Sequence, residues 1–587
     1  MKLTLSGKAM MIASALVIAS AALAVDTQDE QVTAALNQVP IDASMVVIVP
    51  NCDRLSENLG QINVALGLGG PELANMLGHL KRRGGVQGGF NDAGSLIVVL
   101  HNPMMMLAGA AAGVVLLPVT DYDQFVAAFS ANADEPVTQL RMPGERRPYA
   151  KSIAGYAVVG INQEMVAAFK PPGNAKFWQD RLGKSGRGCL ARSEVGLIIN
   201  LERLAPVVQP MLEQTLQFQS ENQTVDSHHG RAMATVTNSA LAAFLRDTQT
   251  LVLALDADNQ GVGLTVSAQF KPETRLAELF NGHGTAAAAL LGRLPQDRFL
   301  VTSAINVQGL GLIPMVRDLI DHLPMDQLGD VAPMIQSQTE LMQQVKAQAW
   351  ALYDDSSLAP EMQTAGAFPF GAILEVSDSA AYLKRFQNFL NQVDGKTISI
   401  IPFNEVAISA SYTARARQVG KVVVDGYELR YEYSPQIPEM LSPAEPVFKM
   451  MGMRGAVGYI AMIDPHHIVQ TGTRDVSLIN KLVTSAQNDQ GLGQDSQIPK
   501  LRAVGLGSNA AFEMYAHLPQ ISNYVSRMIE LSTGTKSTVE LPQDVPPVPI
   551  WVHAQDNSLV GRLYVQIDLI RWSRNVIAGE LAGWSPG

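Results

Sequence analysis

Pro40-Ile41-Asp42-Ala43-Ser44, running into the apolar stretch Met45 to Val49 and closing at Asn51, decides the fold because the chain states it twice. The second statement is Pro295-Gln296-Asp297-Arg298-Phe299, then Leu300 to Ile305, then Asn306. The two prolines (40 and 295) and the two asparagines (51 and 306) are each 255 residues apart. Val119-Thr120-Asp121, with Phe125 and Phe129 behind it, returns as Val376-Ser377-Asp378 with Tyr382 and Phe386. Near the ends, Asp258-Asn259 and Asp556-Asn557 each separate two strand-like runs. Solenoids repeat every 20 to 50 residues or so, and this spacing is far longer. The reading is therefore a duplicated domain: residues 25–290, then 291–587.

Each copy opens with a strand and passes into helix, and strand pairs follow. Asp121 and Asp378 stand where an acidic side chain caps a helix start, with aromatic residues four apart on one face of that helix. Tyr149 to Ile153 and Tyr156 to Val159 read as a hairpin turned at Ala154-Gly155. Thr250 to Ala257 and Gly261 to Phe270 read as another, turned at residues that tolerate the left-handed conformation. Hairpins joined through helices predict an α+β fold, each copy a mainly antiparallel sheet with helices packed on one face. The Gln-rich segment 325–355, with Leu341, Met342, Val345 and Trp350, is read as a helical insert in the second copy. The Ala-rich stretch Thr285 to Leu294 is read as the boundary.

Residues 1–24 carry Lys2 and Lys8, an apolar core from Ala9 to Ala21, and Ala22-Leu23-Ala24, the pattern of a cleaved signal peptide. The chain is then expected to be exported, to the periplasm or beyond the cell. No later stretch is long and apolar enough for a spanning helix, so the mature chain is expected to lack a transmembrane span. Loss of the leader takes the formal charge from −11 to −13, which repels phosphate backbones and argues against nucleic acid as a partner. The basic clusters Lys81-Arg82-Arg83 and Arg146-Arg147 read as solvated loop or helix ends. Charged residues are only 17% of the chain, below the usual quarter or so, which calls for a large buried interior. Cys52 and Cys189 rule out a disulfide-dense scaffold; they either pair or, the preferred reading, stay as two free thiols.

No catalytic residues are assigned. Gly505-Leu506-Gly507-Ser508-Asn509 lacks the spacing of a nucleophile elbow, and the glycines from Gly84 to Gly89 lack the Lys-Ser/Thr ending of a phosphate loop. Neither cofactor-binding nor metal residues are assigned. Asp464-Pro465-His466-His467 is the best local set of ligand types, but Pro465 fits a turn and neighbouring strand residues point to opposite faces. The pairs Asp121/Asp123, Asp256/Asp258 and Asp354/Asp355 sit at helix starts and turns, where capping explains them. Met104-Met105-Met106 and Met450-Met451 with Met453 suit either core filling or an adaptable apolar groove.

With the leader, Val46-Val47-Ile48-Val49-Pro50-Asn51 and Leu116-Leu117-Pro118-Val119-Thr120-Asp121-Tyr122 in view, the chain resembles large secreted proteins of unknown function from planctomycete-type bacteria. The resemblance implies export and no particular active-site residues. The expected function is that of an exported, non-catalytic scaffold or binding module with a protein or apolar small-molecule partner. The alternatives are a carrier of a lipid-like ligand, sited where the copies meet or beneath the methionines, and a hydrolase with an unfamiliar site.

Overall fold

The computed structural model describes residues 28–67, 75–84, 86, 88–101, 113–131, 135–141, 147–170, 173–222, 241–281, 286–321, 331–354, 369–400, 403–433, 455–488, 491–494, 497–505, 510–533 and 545–574. The leader, both methionine clusters, Asp355 and Arg146 lie outside them.

In the first half the elements run α1 (28–36), β1 (Met45–Val49), α2 (Cys52–Leu66), α3 (Met76–Gly84), β2 (Leu96–Leu100), β3 (Gly113–Pro118) and α4 (Tyr122–Ala127). After these come β4 (Thr138–Gln139), β5 (Tyr149–Ile153), β6 (Tyr156–Gly160), α5 (Ala175–Arg192), β7 (Val195–Asn200), β8 (Thr248–Ala257) and β9 (Gly261–Phe270). The second half runs α6 (Ala286–Gly292), β10 (Phe299–Asn306), α7 (Leu312–Asp321), α8 (Val331–Met342), β11 (Val345–Tyr353), β12 (Phe370–Val376) and α9 (Ser379–Val393). It continues through β13 (Thr397–Ile400), β14 (Phe403–Val419), β15 (Val422–Tyr433), β16 (Gly455–Asp464), β17 (His467–Thr471) and α10 (Val476–Asn488). It closes with β18 (Phe512–Ala516), β19 (Val548–Gln555), β20 (Ser558–Gln566) and α11 (567–574).

The fold is α+β, and among the described residues every strand belongs to one 20-stranded sheet whose pairings are all antiparallel. In the first half the strands lie β4-β5-β6-β3-β2-β1-β7-β8-β9. In the second they lie β16-β17-β12-β11-β10-β18-β19-β20, the same order from β5 onward, extended outward by β15, β14 and β13. The halves meet where β9 pairs with β20, from Gln269 opposite Ser558 to Gly261 opposite Gln566. Their junction is thus a continuous hydrogen-bonded ladder, where the sequence reading placed a cleft.

Side chains alternate across a sheet, so register alone sorts them onto two faces. One face carries Val46, Ile48, Ile97 and Ile198 in the first half, buried under α1 and α5 with Trp178, Leu182 and Leu190. In the second half it carries Ala347, Ala349, Ala351, Ile373 and Val469, packed on α6 and α10 through Leu290, Leu291, Ile479 and Leu482. The Ala-rich stretch read as a boundary is therefore α6, an interior helix of the second half. The opposite face is clad at matching places: α4 brings Phe125 onto Ala150 and Ala157, while α9 brings Tyr382 and Phe386 onto Leu374 and Ile468. Both helices start on the expected aspartate, Asp121 accepting from Gln124 N at 3.0 Å and Asp378 from Ala381 N at 2.9 Å.

The segment read as a helical insert divides differently. Helix α8 ends at Met342, and Val345 to Tyr353 is strand β11, with Trp350 at its middle. Val345, Ala347, Ala349, Ala351 and Tyr353 are buried while Lys346, Gln348, Trp350 and Leu352 alternate with them, a period of two that alanine's helix propensity disguises. Flanked by β10 and β12, the segment satisfies its backbone in two ladders, and tertiary pairing overrides propensity.

Candidate functional site

On the less heavily covered face, register lines up an apolar row that crosses the seam. Val115, Val98, Val47, Leu197, Leu253 and Val266 lie opposite one another from β3 through β9. The row passes Gly561 and continues through Val552, Phe512 and Ile305 to Gln348, Leu374 and Ile468. Where it reaches β11, β12 and β17 the surface dips into a cleft of about 410 Å³ lined by Gln348, Trp350, Leu352, Phe370, Ala372, Leu374 and Gln470. Trp350, Ala372 and Gln470 form one cross-strand row; Gln348 and Leu374 form the next. The cleft is open to solvent on one side, and its volume falls within the range of roughly 300–1,000 Å³ typical of small-molecule sites.

Beside the cleft, on the same sheet face, a hydrogen-bond chain holds Gln470. Tyr427 is buried against Phe386, ring centroids 5.3 Å apart and nearly perpendicular. Its hydroxyl donates to the Thr471 carbonyl at 2.7 Å and accepts from Gln470 Nε2 at 2.9 Å. Burial pushes the Tyr427 phenol well above its ordinary value, so it remains a donor at any working pH. Among the described residues, neither an acid, a base nor a nucleophile lines the cleft.

A second concavity, about 540 Å³, lies between α2 and α3 and is lined by Asp53, Asn75, Leu77, Gly78, Lys81, Arg82, Val86 and Asp92. Lys81 from the basic cluster is already tied there to Asp92, at 2.8 and 3.1 Å from its two oxygens. With both signs of charge in one small space it offers no net attraction for an ion.

The titratable residues singled out by sequence serve the fold. Asp464 closes the β16–β17 turn, accepting from the backbone of His466 at 2.8 Å and His467 at 2.9 Å, while the His467 ring lies 2.8 Å from its other oxygen. Burial alone would raise the Asp464 carboxyl, but these partners hold it below its ordinary value. His466 Nδ1 faces the Ser377 carbonyl instead, so the two imidazoles do not converge. Among the described residues no three or more His, Cys, Asp or Glu side chains gather as a metal site. Asp258 accepts from Gln260 and Gly261 within its turn. Asp354 pairs with Arg527.

Asp256 does something sequence reasoning missed. It reaches across the seam and takes the Arg562 guanidinium in a two-pronged pair, both contacts 2.7 Å, while Arg562 also donates to Thr265 at 3.0 Å. Gly263 makes the room, since a Cβ there would stand 2.6 Å from the carboxylate. Cys52 and Cys189 are free and buried, and burial drives the Cys52 thiol up to about 11.

The cleft residues were also missed, because Gln348 and Trp350 had been placed on a helix. The alternation of Gln348, Trp350 and Leu352 with three alanines was the signal that could have found them.

No family model matches the chain, and no curated protein does. Among solved structures it is similar to the treponemal protein TP0453, in crystal forms IV, III and I, each at 10% sequence identity. The match covers 48%, 48% and 47% of this chain and 94%, 95% and 77% of that one, with TM-scores of 0.23, 0.22 and 0.22. None of the described helices is long and apolar enough to cross a membrane.

Proposed function

We propose that this is an exported, non-catalytic protein, descended from a duplicated α+β domain, that binds a small apolar ligand in the Trp350–Phe370 cleft. The observation that carries the reading is the cleft's composition: two aromatic rings, three aliphatic side chains and two amides in a space of ligand size. A lining without titratable groups supports binding over turnover, since acid–base and nucleophilic catalysis both need such a group. The repeated strand order supports the duplication, and the Lys2/Lys8 leader supports export. Only the second half carries the Trp350–Phe370 pair, so ligand binding is a specialisation of one copy.

The test is a fluorescence titration of the full chain with the neutral apolar probe N-phenyl-1-naphthylamine, beside native mass spectrometry of the purified protein. Ala372 lies in the cleft, and Ala372→Trp would fill it with a second indole. Saturable binding to the wild type that Ala372→Trp abolishes supports the reading. A wild type that neither binds the probe nor carries a co-purified mass refutes it.

A further inference from the structure

Among the described residues of the cleft, Gln470 is the polar group whose orientation a side-chain hydrogen bond fixes, and one of its two N–H donors is already used. The Tyr427 hydroxyl has one proton, and the Thr471 carbonyl, 2.7 Å away, takes it. The same oxygen can then only accept, so the Gln470 amide must turn its N–H toward Tyr427, at 2.9 Å. What remains to face a ligand is the Gln470 carbonyl oxygen beside the amide's second N–H, a pair that a hydroxyl can serve both as donor and as acceptor whereas a ketone can serve only the N–H.

The charge balance of the cleft narrows the ligand further. A carboxylate or phosphate placed among Trp350, Phe370, Ala372 and the two glutamines would lose water and meet no cation among the described lining residues in return. A neutral ligand incurs no such penalty. At the packing density of roughly 0.74 found inside proteins, 410 Å³ accommodates about 300 Å³ of van der Waals volume. That is room for roughly twenty non-hydrogen atoms inside the cleft, and the second chain of a two-chain lipid would be left on the open, solvent side.

Resting on the binding function proposed above, we infer that the cleft selects an uncharged, single-chain or compact apolar molecule bearing a hydroxyl, with Gln470 as the specificity-determining acceptor and Tyr427 as its positioning residue. Trp350 and Phe370 flank the apolar body, and the hydroxyl donates to the Gln470 carbonyl.

The experiment displaces N-phenyl-1-naphthylamine from the full chain with three ligands of equal chain length: dodecan-1-ol, 2-dodecanone and dodecanoate, at pH 7.5. Gln348 carries a second amide, so each series is repeated in Gln348→Leu to isolate Gln470. Dodecanol is expected to bind at least about tenfold more tightly than dodecanoate, whose charge would go unpaired. It should exceed the ketone by about fivefold in Gln348→Leu, the worth of one hydrogen bond of about 1 kcal/mol. Tyr427→Phe releases the amide from its fixed orientation, so that it can present its N–H groups to a ketone in place of its carbonyl, and the alcohol-over-ketone ratio should fall to within about twofold. Gln470→Leu, which removes the acceptor itself, should erase the same ratio. Equal or tighter binding of dodecanoate, or an alcohol-to-ketone ratio indifferent to both Gln470→Leu and Tyr427→Phe, overturns the inference even though the cleft binds. Failure of the probe itself to bind overturns the binding function instead.

Discussion

Removing the Asp256 carboxylate tests how the two halves are held. Arg562 is 10% exposed and Asp256 23% exposed, and their two 2.7 Å contacts cross from β8 to β20 over the β9 glycine at 263. Breaking a fully buried pair by deleting one partner costs about 3–5 kcal/mol, most of it from the charge left behind. Water reaches nearly a quarter of Asp256, and Thr265 still accepts from Arg562, so the expected loss for Asp256→Ala is about 2–3 kcal/mol. Arg562→Met removes the stranded charge, and the double variant Asp256→Ala/Arg562→Met should recover at least half the loss, a coupling of about 1–2 kcal/mol. Denaturant unfolding of the four proteins gives the cycle. Hydrogen exchange should show where the loss falls: amides of β9 and β20 should lose protection before those of β1 or β10. Gly263→Ala drives a methyl into the same space, 2.6 Å from the carboxylate and 2.8 Å from the guanidinium, and should reproduce the seam loosening. A loss below about 0.5 kcal/mol for Asp256→Ala, with exchange unchanged at β9, would show that the pair contributes nothing measurable to joining the halves.

Other expectations follow from particular contacts. Asp121→Ala and Asp378→Ala should each cost about 0.5–2 kcal/mol and add in the double variant, because the two caps lie far apart; unchanged melting of either would refute its capping role. Gly89 has φ +74° and packs where a Cβ would stand 2.2 Å from the Asp121 carbonyl, so Gly89→Ala should lower the melting temperature more than Asp121→Ala does. Cys52 and Cys189 should resist iodoacetamide in the native protein and react on unfolding, read by intact mass; a native disulfide mass would contradict both free thiols. The Cys52 thiol is raised from 9.0 to about 11, so the stability from keeping it neutral is full below pH 9 and lost as pH rises toward 11. Cys52→Ser should therefore flatten the alkaline fall of the melting temperature in that interval.

Read from the sequence alone, the local decisions come through. Asp121 and Asp378 mark helix starts because a carboxylate can reach a free N–H three residues on, whatever the rest of the chain does. Asn51 and Asn306, matched by spacing, each accept from the backbone three residues later, Arg54 N in one case and Gly309 N in the other. Asp556 and Asn557 adopt φ +53° and +57° in their hairpin, as residues that tolerate the left-handed region can. These interactions span two to four residues, so residue type settles them. Strand β11 was misread because its partners β10 and β12 are separate segments, and nothing within the stretch itself distinguishes an alanine-rich strand from a helix except its period. The pair between Asp256 and Arg562 joins residues 306 apart in sequence, and the cleft draws its lining from three strands between Gln348 and Gln470. Sequence determined the parts and their repeated order. Which face stayed apolar, which edge strand met which, and where a ligand could sit were decided by register between distant strands, because ladder hydrogen bonds are the same for any residue and only packing in three dimensions selects the partner.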